Sequence, residues 1–225
     1  MPNYRPPEAP HATPAKVTLE RGTVLHRVHK SHREAAAFNP HPSHCLYGGG
    51  RFDGTACDPY GYLYAGLSPA AAVCETLLRS LPFDPAGGPR LLPRVGVEGR
   101  RLSTLRLTVD VTLVSLMNAQ DLAAVHQDSW LVQTEAADYA YTRDWGHWIR
   151  RHTDPWAQGF VWSSKREPGD RTVLLFEDRC PRGAVEAAGV SDEAVVEFAT
   201  DDGERWLNSV LQPYHARLAP SARHA

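Results

Sequence analysis

The chain of 225 residues is long enough for one large domain, or for a medium-sized domain with tails, and its 42% hydrophobic content excludes wholesale disorder. Its formal net charge of −2 provides no basic excess for a phosphate backbone, so we expect no direct nucleic-acid partner. No apolar run approaches the roughly 18 residues of a membrane helix and no secretory signal is evident, so we expect a cytoplasmic protein without membrane contact.

The first third of the chain predicts an arm, two strands and a helix. Residues 1–20 carry five prolines and predict a loosely ordered N-terminal arm. Thr23–His29 and Tyr62–Ala65 predict strands, separated by a stretch rich in turn residues. Ser68 is a suitable N-cap for a helix that continues to Leu78, because a proline follows it and strong helix formers come next.

The remainder predicts an irregular mixture of strands and helices. Residues 82–93 predict a loop rich in proline and glycine, and 204–218 a terminal helix. A helix over 138–151 places three aromatic side chains on one face, which we expect to face the core. Further strands are predicted at Ser103–Val109, Thr112–Leu116, Phe160–Ser164, Arg171–Glu177 and Ala194–Thr200. This order indicates an α+β fold, with a main domain over 21–182 and a strand–helix extension over 183–225 packed on the same domain.

Cysteine and histidine patterns do not predict a metal site. The four cysteines form no CxxC pair, and we expect reduced, mostly buried thiols. Five histidines and Cys45 fall within 20 residues, which makes metal binding the rival hypothesis. The His-x₂-His-x₂-His spacing points successive rings to opposite faces of a strand, so we expect no metal.

The segment from Gly48 to Glu75 is the best candidate for a functional site. A run of three glycines precedes Arg51 and lets the backbone approach a ligand closely, while the guanidinium can form bidentate bonds to phosphate. Glu75 lies on a helix segment that is otherwise apolar. A carboxylate there either reaches solvent or has a function inside the protein.

Four short segments resemble a known family. They are LHRVH around Arg27, GGGRFDG around Arg51, YLYAGLSPAAAVCE ending at Glu75 and GFVWSSKR ending at Arg166. Together they resemble the RES domain, the toxin half of Res–Xre toxin–antitoxin pairs, over roughly residues 22 to 180. The family pattern has a tyrosine four residues before a Ser-Pro helix start and a glutamate seven residues after that serine. Tyr64, Ser68 and Glu75 occupy those positions.

The resemblance implies a fold similar to that of ADP-ribosyltransferases, with two small, mostly antiparallel sheets around a central cleft and flanking helices. It also implies an enzyme that cleaves the nicotinamide–ribose bond of NAD⁺ and depletes it. NAD⁺ is then the substrate rather than a cofactor, and water or inorganic phosphate is the acceptor. ADP-ribosyl transfer to a protein and nucleotide binding without catalysis are the alternatives. An Xre-type antitoxin and a second copy of the chain are the candidate protein partners.

The resemblance also assigns candidate roles within the site. A carboxylate beside the ribose stabilises the positive charge that develops when the bond breaks, so Glu75 is the candidate for this role. Arg27 and Arg51 are expected to bind the pyrophosphate or an attacking phosphate. Tyr64 offers either a ring face to nicotinamide or a hydroxyl to ribose. Ser164 is expected to donate a hydrogen bond to the substrate, and the neighbouring Ser163 is the alternative.

Two further features bear on the site. The family commonly has Trp-Asn after the arginine, whereas this chain has Phe52 and Asp53, which brings an acid close to the phosphate-binding arginine. Trp162 and Arg166 are expected to face away from Ser164, with Arg166 in a structural or rim ion pair.

Overall fold

A computed structural model describes residues 3–8, 13–188 and 195–221 and confirms the α+β class. The strands are β1 (Lys16–Leu19), β2 (Val24–Lys30), β3 (Tyr62–Gly66), β4 (Arg90–Leu92), β5 (Arg100–Leu107), β6 (Val111–Leu116), β7 (Gly159–Ser163), β8 (Arg171–Phe176), β9 (Val185–Ala187), β10 (Val195–Glu197) and β11 (Ala216–Leu218). The helices are α1 (Pro69–Leu77), α2 (Ala119–Ala123), α3 (Trp130–Gln133), α4 (Tyr139–His152) and α5 (Asp201–Leu211).

Most strands belong to one large sheet rather than to the expected pair of small sheets. Within the described ranges the sheet has nine strands in the order β1-β6-β7-β8-β3-β2-β5-β10, and β9 also pairs with β5. All neighbours are antiparallel except β6 and β7, which are parallel. Strands β4 and β11 form a separate parallel pair. The expected division into two sheets is absent because a single residue pair joins the two halves of the large sheet.

That junction lies between β2 and β3. These strands share one registered pair, His26 with Gly66, whereas β2 pairs with β5 along all seven of its residues. The far end of β3 pairs instead with Asn39, whose amide donates to the Tyr62 carbonyl at 2.7 Å. The sheet therefore opens between β2 and β3 just beyond the shared pair.

Helix α1 packs across the closed end of this opening. Its first turn is capped by Ser68, whose Oγ accepts a hydrogen bond from the Ala71 amide at 3.0 Å, and Pro69 occupies the first helical position. The helix lies directly on the backbone of Gly66, where an added Cβ would come within 2.6 Å of the Ala72 nitrogen. Glycine at this position therefore allows α1, which carries Glu75, to sit close to the sheet.

The aromatic face of α4 is shared between the core and the N-terminal arm. Trp145 and Trp148 are buried, but Tyr141 is 41% exposed, so the expected core-facing stripe is confirmed for two of its three residues. The indole Nε1 of Trp145 donates to the Asn3 carbonyl at 2.8 Å and that of Trp148 to the Pro7 carbonyl at 3.1 Å. Asn3 and Pro7 of the arm are thus tied to α4, because each buried indole N–H needs an acceptor that the arm supplies.

Three other segments differ from expectation. Strand β1 lies within the arm and pairs with β6, and β4 lies within the expected proline–glycine loop. The expected terminal helix stops at Leu211, because Pro213 follows and cannot continue it, and the chain then forms β11. Ala194, the start of the last predicted strand, lies outside the described residues, and that strand is observed from Val195. None of the described helices is long and apolar enough to span a membrane.

Candidate active site

The opening between β2 and β3 is a cleft of about 750 Å³, within the range of typical ligand sites. Its walls come from β2, β3, α1, the loop after Gly48 and the start of β5. Six lysine and arginine side chains line it, and Glu75 is the only carboxylate among the described residues that do so. The cations are Arg27, Lys30, Arg33, Arg51, Arg79 and Arg100. A chain with a net charge of −2 thus concentrates positive charge in one hollow, which favours an anionic ligand.

Glu75 is held through one of its two oxygens. Oε1 accepts a hydrogen bond from the Ser164 hydroxyl at 2.7 Å, from the Lys165 amide at 2.6 Å and from the Arg166 amide at 3.4 Å. Oε2 has no hydrogen bond to any residue that the structure describes. The carboxylate is therefore fixed in orientation and keeps one oxygen available to a ligand in the cleft.

The two candidate serines differ in where they point. Ser164 is fully buried, and besides donating to Glu75 it accepts a hydrogen bond from the Glu167 amide at 3.0 Å. The Ser163 hydroxyl donates to the Pro168 carbonyl at 2.8 Å and stabilises the turn between β7 and β8. Neither serine lines the cleft. Ser164 thus acts on Glu75, and Ser163 is not brought to the site.

Arg51 is anchored beneath the cleft by α3, α4 and the segment between them. The residue is 4% exposed. Its guanidinium donates to the Leu131 carbonyl at 3.1 Å and to the Thr134 carbonyl at 3.0 Å. A third N–H contacts the Tyr139 hydroxyl at 3.3 Å. Of the five guanidinium N–H groups, two remain for a ligand. Burial lowers the pKa of Arg51, and the nearby Glu75 carboxylate acts in the opposite direction.

Asp53 organises the glycine loop and does not face the ligand space. Its carboxylate accepts hydrogen bonds from the Ser43 hydroxyl at 2.6 Å, the Gly50 amide at 2.7 Å and the Tyr64 hydroxyl at 2.9 Å. A Cβ on Gly50 would come within 2.4 Å of Asp53 Oδ1, so the loop can close on the carboxylate only with glycine there. Asp53, the residue that differs from the family pattern, therefore fixes the loop that carries Arg51.

Tyr64 is bound by the same loop. Its hydroxyl gives its proton to Asp53 and accepts a hydrogen bond from the Phe52 amide at 2.9 Å. Burial and the Asp53 carboxylate raise the pKa of Tyr64 well above its usual value, so the phenol stays neutral. Because its single proton is committed, the ring rather than the hydroxyl is the part of Tyr64 best placed to meet a ligand.

Arg27 lies across the cleft from this loop, on β2. One terminal nitrogen donates to the carbonyls of Ala35 and Ala37, at 2.7 and 2.6 Å, which leaves three N–H groups uncommitted. Burial, followed by the charge of Arg33, lowers the pKa of Arg27 to about 10, so it stays protonated at neutral pH.

Sequence reasoning missed several residues of the cleft, among them Arg79, Arg100 and Tyr139. Tyr139 lies between two arginines, with the guanidinium carbons of Arg51 and Arg79 each 4.8 Å from its ring centroid. No motif marks Arg79 or Tyr139, because they reach the site only when α1 and α4 pack. Trp162 also lines the cleft. The expectation that it faces away from Ser164 rested on a wrong premise, because residues two apart on a regular strand share a face. The rim ion pair expected for Arg166 is present, with Glu135 at 3.3 Å.

The expectation of four reduced thiols was wrong for two of them. Cys45 and Cys57 form a disulfide that brackets the glycine loop, whereas Cys74 and Cys180 are free. Cys45 and Cys57 are 12 residues apart, a spacing that fits no motif, and only the folding of the loop brings them together.

The histidines do not assemble into a metal centre. Across residues 3–8, 13–188 and 195–221 no group of three or more histidine, cysteine, aspartate or glutamate side chains could hold a metal ion. His29 is buried and its Nε2 lies 2.9 Å from the Ser103 hydroxyl. The Nδ1 of the same ring lies 3.0 Å from the Lys30 carbonyl, so it carries the proton and Nε2 accepts.

Comparison with known proteins finds a solved structure of similar fold and a matching family. A chain in the crystal structure of the M. tuberculosis MbcT–MbcA toxin–antitoxin complex superposes with a TM-score of 0.52 and 15% sequence identity, covering 76% of this chain and 84% of that one. At this identity the likeness concerns the fold alone, and no curated protein matches the sequence. The family model of the RES domain matches residues 24–199, past the boundary expected at residue 182. Since this span is more than half of the chain and includes every residue that builds the cleft, the chain belongs to the RES domain family.

Proposed function

We propose that this chain is the toxin of a toxin–antitoxin pair and that it cleaves the nicotinamide–ribose bond of NAD⁺, with water or inorganic phosphate as acceptor. The observation that carries the proposal is the state of Glu75: a single carboxylate, fixed through Oε1 and open at Oε2, in a cleft lined by six cations. An ADP-ribosyltransferase-like arrangement, with the dinucleotide in the opening of the sheet, is part of the proposal.

The cations of the cleft suit the diphosphate of the substrate. Arg27 and Arg51 lie on opposite sides of the opening, and each keeps N–H groups that no protein acceptor uses. Guanidinium groups form bidentate bonds with phosphate oxygens, so the two arginines can hold a diphosphate between them. This places the nicotinamide riboside toward Glu75, Tyr64 and the closed end of the cleft.

Glu75 then acts on the ribose. When the bond between the ribose C1″ and the nicotinamide nitrogen breaks, the electron pair stays on nitrogen, nicotinamide leaves as a neutral molecule, and positive charge develops on the ribose. The Oε2 oxygen stabilises that charge electrostatically in a partly dry site. An oxygen of water or phosphate next bonds to C1″; water loses its extra proton to solvent, whereas hydrogen phosphate needs to lose none at neutral pH.

Positioning is the role of Ser164 in this scheme. Its hydroxyl and the two backbone amides that follow hold Oε1, so the carboxylate meets the substrate without reorganising. The ring of Tyr64 is the surface proposed for nicotinamide, because its hydroxyl is engaged by Asp53 and Phe52.

The test is to identify the products formed from NAD⁺ by mass spectrometry and NMR, with and without inorganic phosphate. ADP-ribose in both cases identifies a hydrolase, and ADP-ribose-1″-phosphate formed only with phosphate identifies a phosphorylase. Labelled NAD⁺ that modifies a protein band in a lysate would replace the proposal with ADP-ribosyl transfer. Tight NAD⁺ binding without nicotinamide release would overturn it in favour of a binding module.

The toxin role is tested separately in cells. Induced expression is expected to arrest growth and to lower cellular NAD⁺, and a small helix-turn-helix protein encoded beside this chain is expected to restore growth and to copurify with it. Growth arrest with an unchanged NAD⁺ level would contradict the proposed mechanism.

A further inference from the structure

The cleft continues beyond the site of bond cleavage along the unpaired edge of β2. From His26, the last residue shared with β3, the strand runs four residues to Lys30, which is about 13 Å at the usual rise of ~3.3 Å per residue. All five residues from His26 to Lys30 line the cleft. The cleft therefore has an inner end at Glu75 and an outer end at Lys30.

Three cations line the part of the cleft beyond Arg27, and we call Lys30, Arg33 and Arg100 the outer basic cluster. Lys30 and Arg100 are direct partners in the ladder between β2 and β5, so their side chains leave the sheet on the same face. Like charges directly opposite each other destabilise a sheet, so this pairing has a cost in the empty protein.

The outer basic cluster has no acidic partner among the residues that the structure describes. None of its three members forms an ion pair within the part of the chain that the structure describes. Lys30 is 3.5 Å from the Glu98 carbonyl, Arg33 donates to Asn39 Oδ1 at 3.1 Å, and the buried Nε of Arg100 has no acceptor. The cluster therefore keeps most of its hydrogen-bonding capacity for a ligand.

Arg101 shows that the missing ion pairs are a property of the cleft and not of strand β5 as a whole. Arg101 follows Arg100 on β5, faces the opposite side of the sheet and pairs with Glu197 at 3.2 Å. Two adjacent arginines thus differ: the one outside the cleft is neutralised, and the one inside it is not.

An apolar wall lies beside the outer basic cluster. Val28, Leu81, Leu92 and Pro93 line the same end of the cleft and offer a surface of the kind on which an adenine ring packs. Because Arg27 and Arg51 already account for a diphosphate, the outer cations are in excess of what NAD⁺ requires.

We propose that the outer basic cluster binds a phosphate monoester on the adenosine ribose, so that the preferred substrate of the cleft is the 2′-phosphorylated dinucleotide, NADP⁺. A phosphate monoester carries a charge of about −1.5 to −2 at neutral pH and accepts bidentate bonds from arginine. It would offset the repulsion between Lys30 and Arg100. This inference rests on the function proposed above, whose bond cleavage is the same for both dinucleotides.

Binding tests the inference without any turnover. Titration calorimetry compares 2′-phospho-ADP-ribose with ADP-ribose, which share the diphosphate and differ only in the 2′-phosphate. The wild-type chain is expected to bind 2′-phospho-ADP-ribose at least about tenfold more tightly. The double variant Lys30→Gln/Arg100→Gln is expected to reduce this preference to within about twofold, whereas the matched control Arg101→Gln keeps it.

Equal binding of the two nucleotides by the wild-type chain, weak binding of both, or equal loss of preference in Arg101→Gln would overturn the inference. Kinetics then separates it from the proposed function. Nicotinamide release with a kcat/KM several-fold higher for NADP⁺ than for NAD⁺ supports both. Equal cleavage of the two dinucleotides refutes the preference and leaves the function standing, while selective binding without cleavage of either refutes the function alone.

Discussion

The two walls of the cleft are held in very different ways. On one side the loop around Arg51 is bound to α4: Arg143 donates to the Gly48 carbonyl, Thr142 donates to the Arg51 carbonyl, and Asp53 accepts from three donors. On the other side, the side chains of the outer basic cluster make two hydrogen bonds, from Lys30 to the Glu98 carbonyl and from Arg33 to Asn39, and no ion pair with any described residue. The first wall is held by many hydrogen bonds, and the second is charged and open.

The difference matches what each wall has to do. Stabilising charge that develops in a transition state requires groups that are already in position, because reorganisation during the reaction raises the barrier. Attracting a phosphate requires charge more than exact placement, since electrostatic attraction acts over several ångströms. Bonding is therefore dense around Glu75 and Arg51 and sparse around Lys30.

The largest expected effect is at Glu75, at the densely bonded inner end of the cleft. Glu75→Gln keeps the shape and removes the charge, and losing an electrostatic contribution of ~3–4 kcal/mol should slow nicotinamide release by about 10²–10³. Glu186→Gln, an exposed glutamate on β9, is the matched control and should be neutral. Turnover of the Glu75 variant within threefold of the wild type would remove Glu75 from the mechanism.

The next effect concerns the disulfide that encloses the glycine loop. Opening the disulfide in Cys45→Ser/Cys57→Ser should lower the free energy of unfolding by about 3 kcal/mol, as expected for a closed loop of roughly this length. Urea denaturation measures this, with Cys180→Ser as the control. If dithiothreitol does not change the free energy of unfolding of the wild-type chain, the loop around Arg51 does not depend on this disulfide.

Asp53→Asn should have a somewhat smaller effect on stability. The carboxylate accepts from three donors, and an amide places its own N–H₂ against one of them, so a loss of about 1–3 kcal/mol is expected. Thermal and urea unfolding measure it against the exposed Asp144→Asn. If both variants lose the same stability, Asp53 is not the centre of the loop.

The smallest expected effect is a pH dependence beneath the open wall. Burial, followed by the positive charge of Arg27, lowers the pKa of His29 to about 4, whereas it is about 6.5 in an unfolded chain. Between these values the unfolded state binds the extra proton, so the contribution of His29 to stability is full above pH 6.5 and is lost progressively as the pH falls toward 4. Urea unfolding at pH 7.5 and pH 5 should show a smaller pH dependence in His29→Gln than in the wild type or in the exposed His32→Gln. An unchanged pH dependence would show that His29 can be protonated without opening the wall.

Local signals in the sequence predicted much of the fold. The Ser68–Pro69 start of α1, the strand that becomes β2 and the paired strands that become β7 and β8 follow from capping, β-branched residues and turn residues that act over a few positions. The docking of the arm, the parallel pair of β4 and β11 and the single junction between β2 and β3 did not follow. These features depend on contacts between residues far apart in the chain, which short-range patterns do not encode.

The same division holds for the candidate site. The resemblance of four short motifs to the RES pattern predicted that Arg27, Arg51, Tyr64 and Glu75 belong to one site, and all four line the same cleft. Only the tertiary structure decided that Ser164 bonds to Glu75 while Ser163 turns away, that Asp53 holds the loop, and that Arg79 and Arg100 enter the cleft. The physical reason is that a motif specifies which chemical groups are present, whereas hydrogen bonding and the removal of water, which set what each group can do, arise only when distant segments pack.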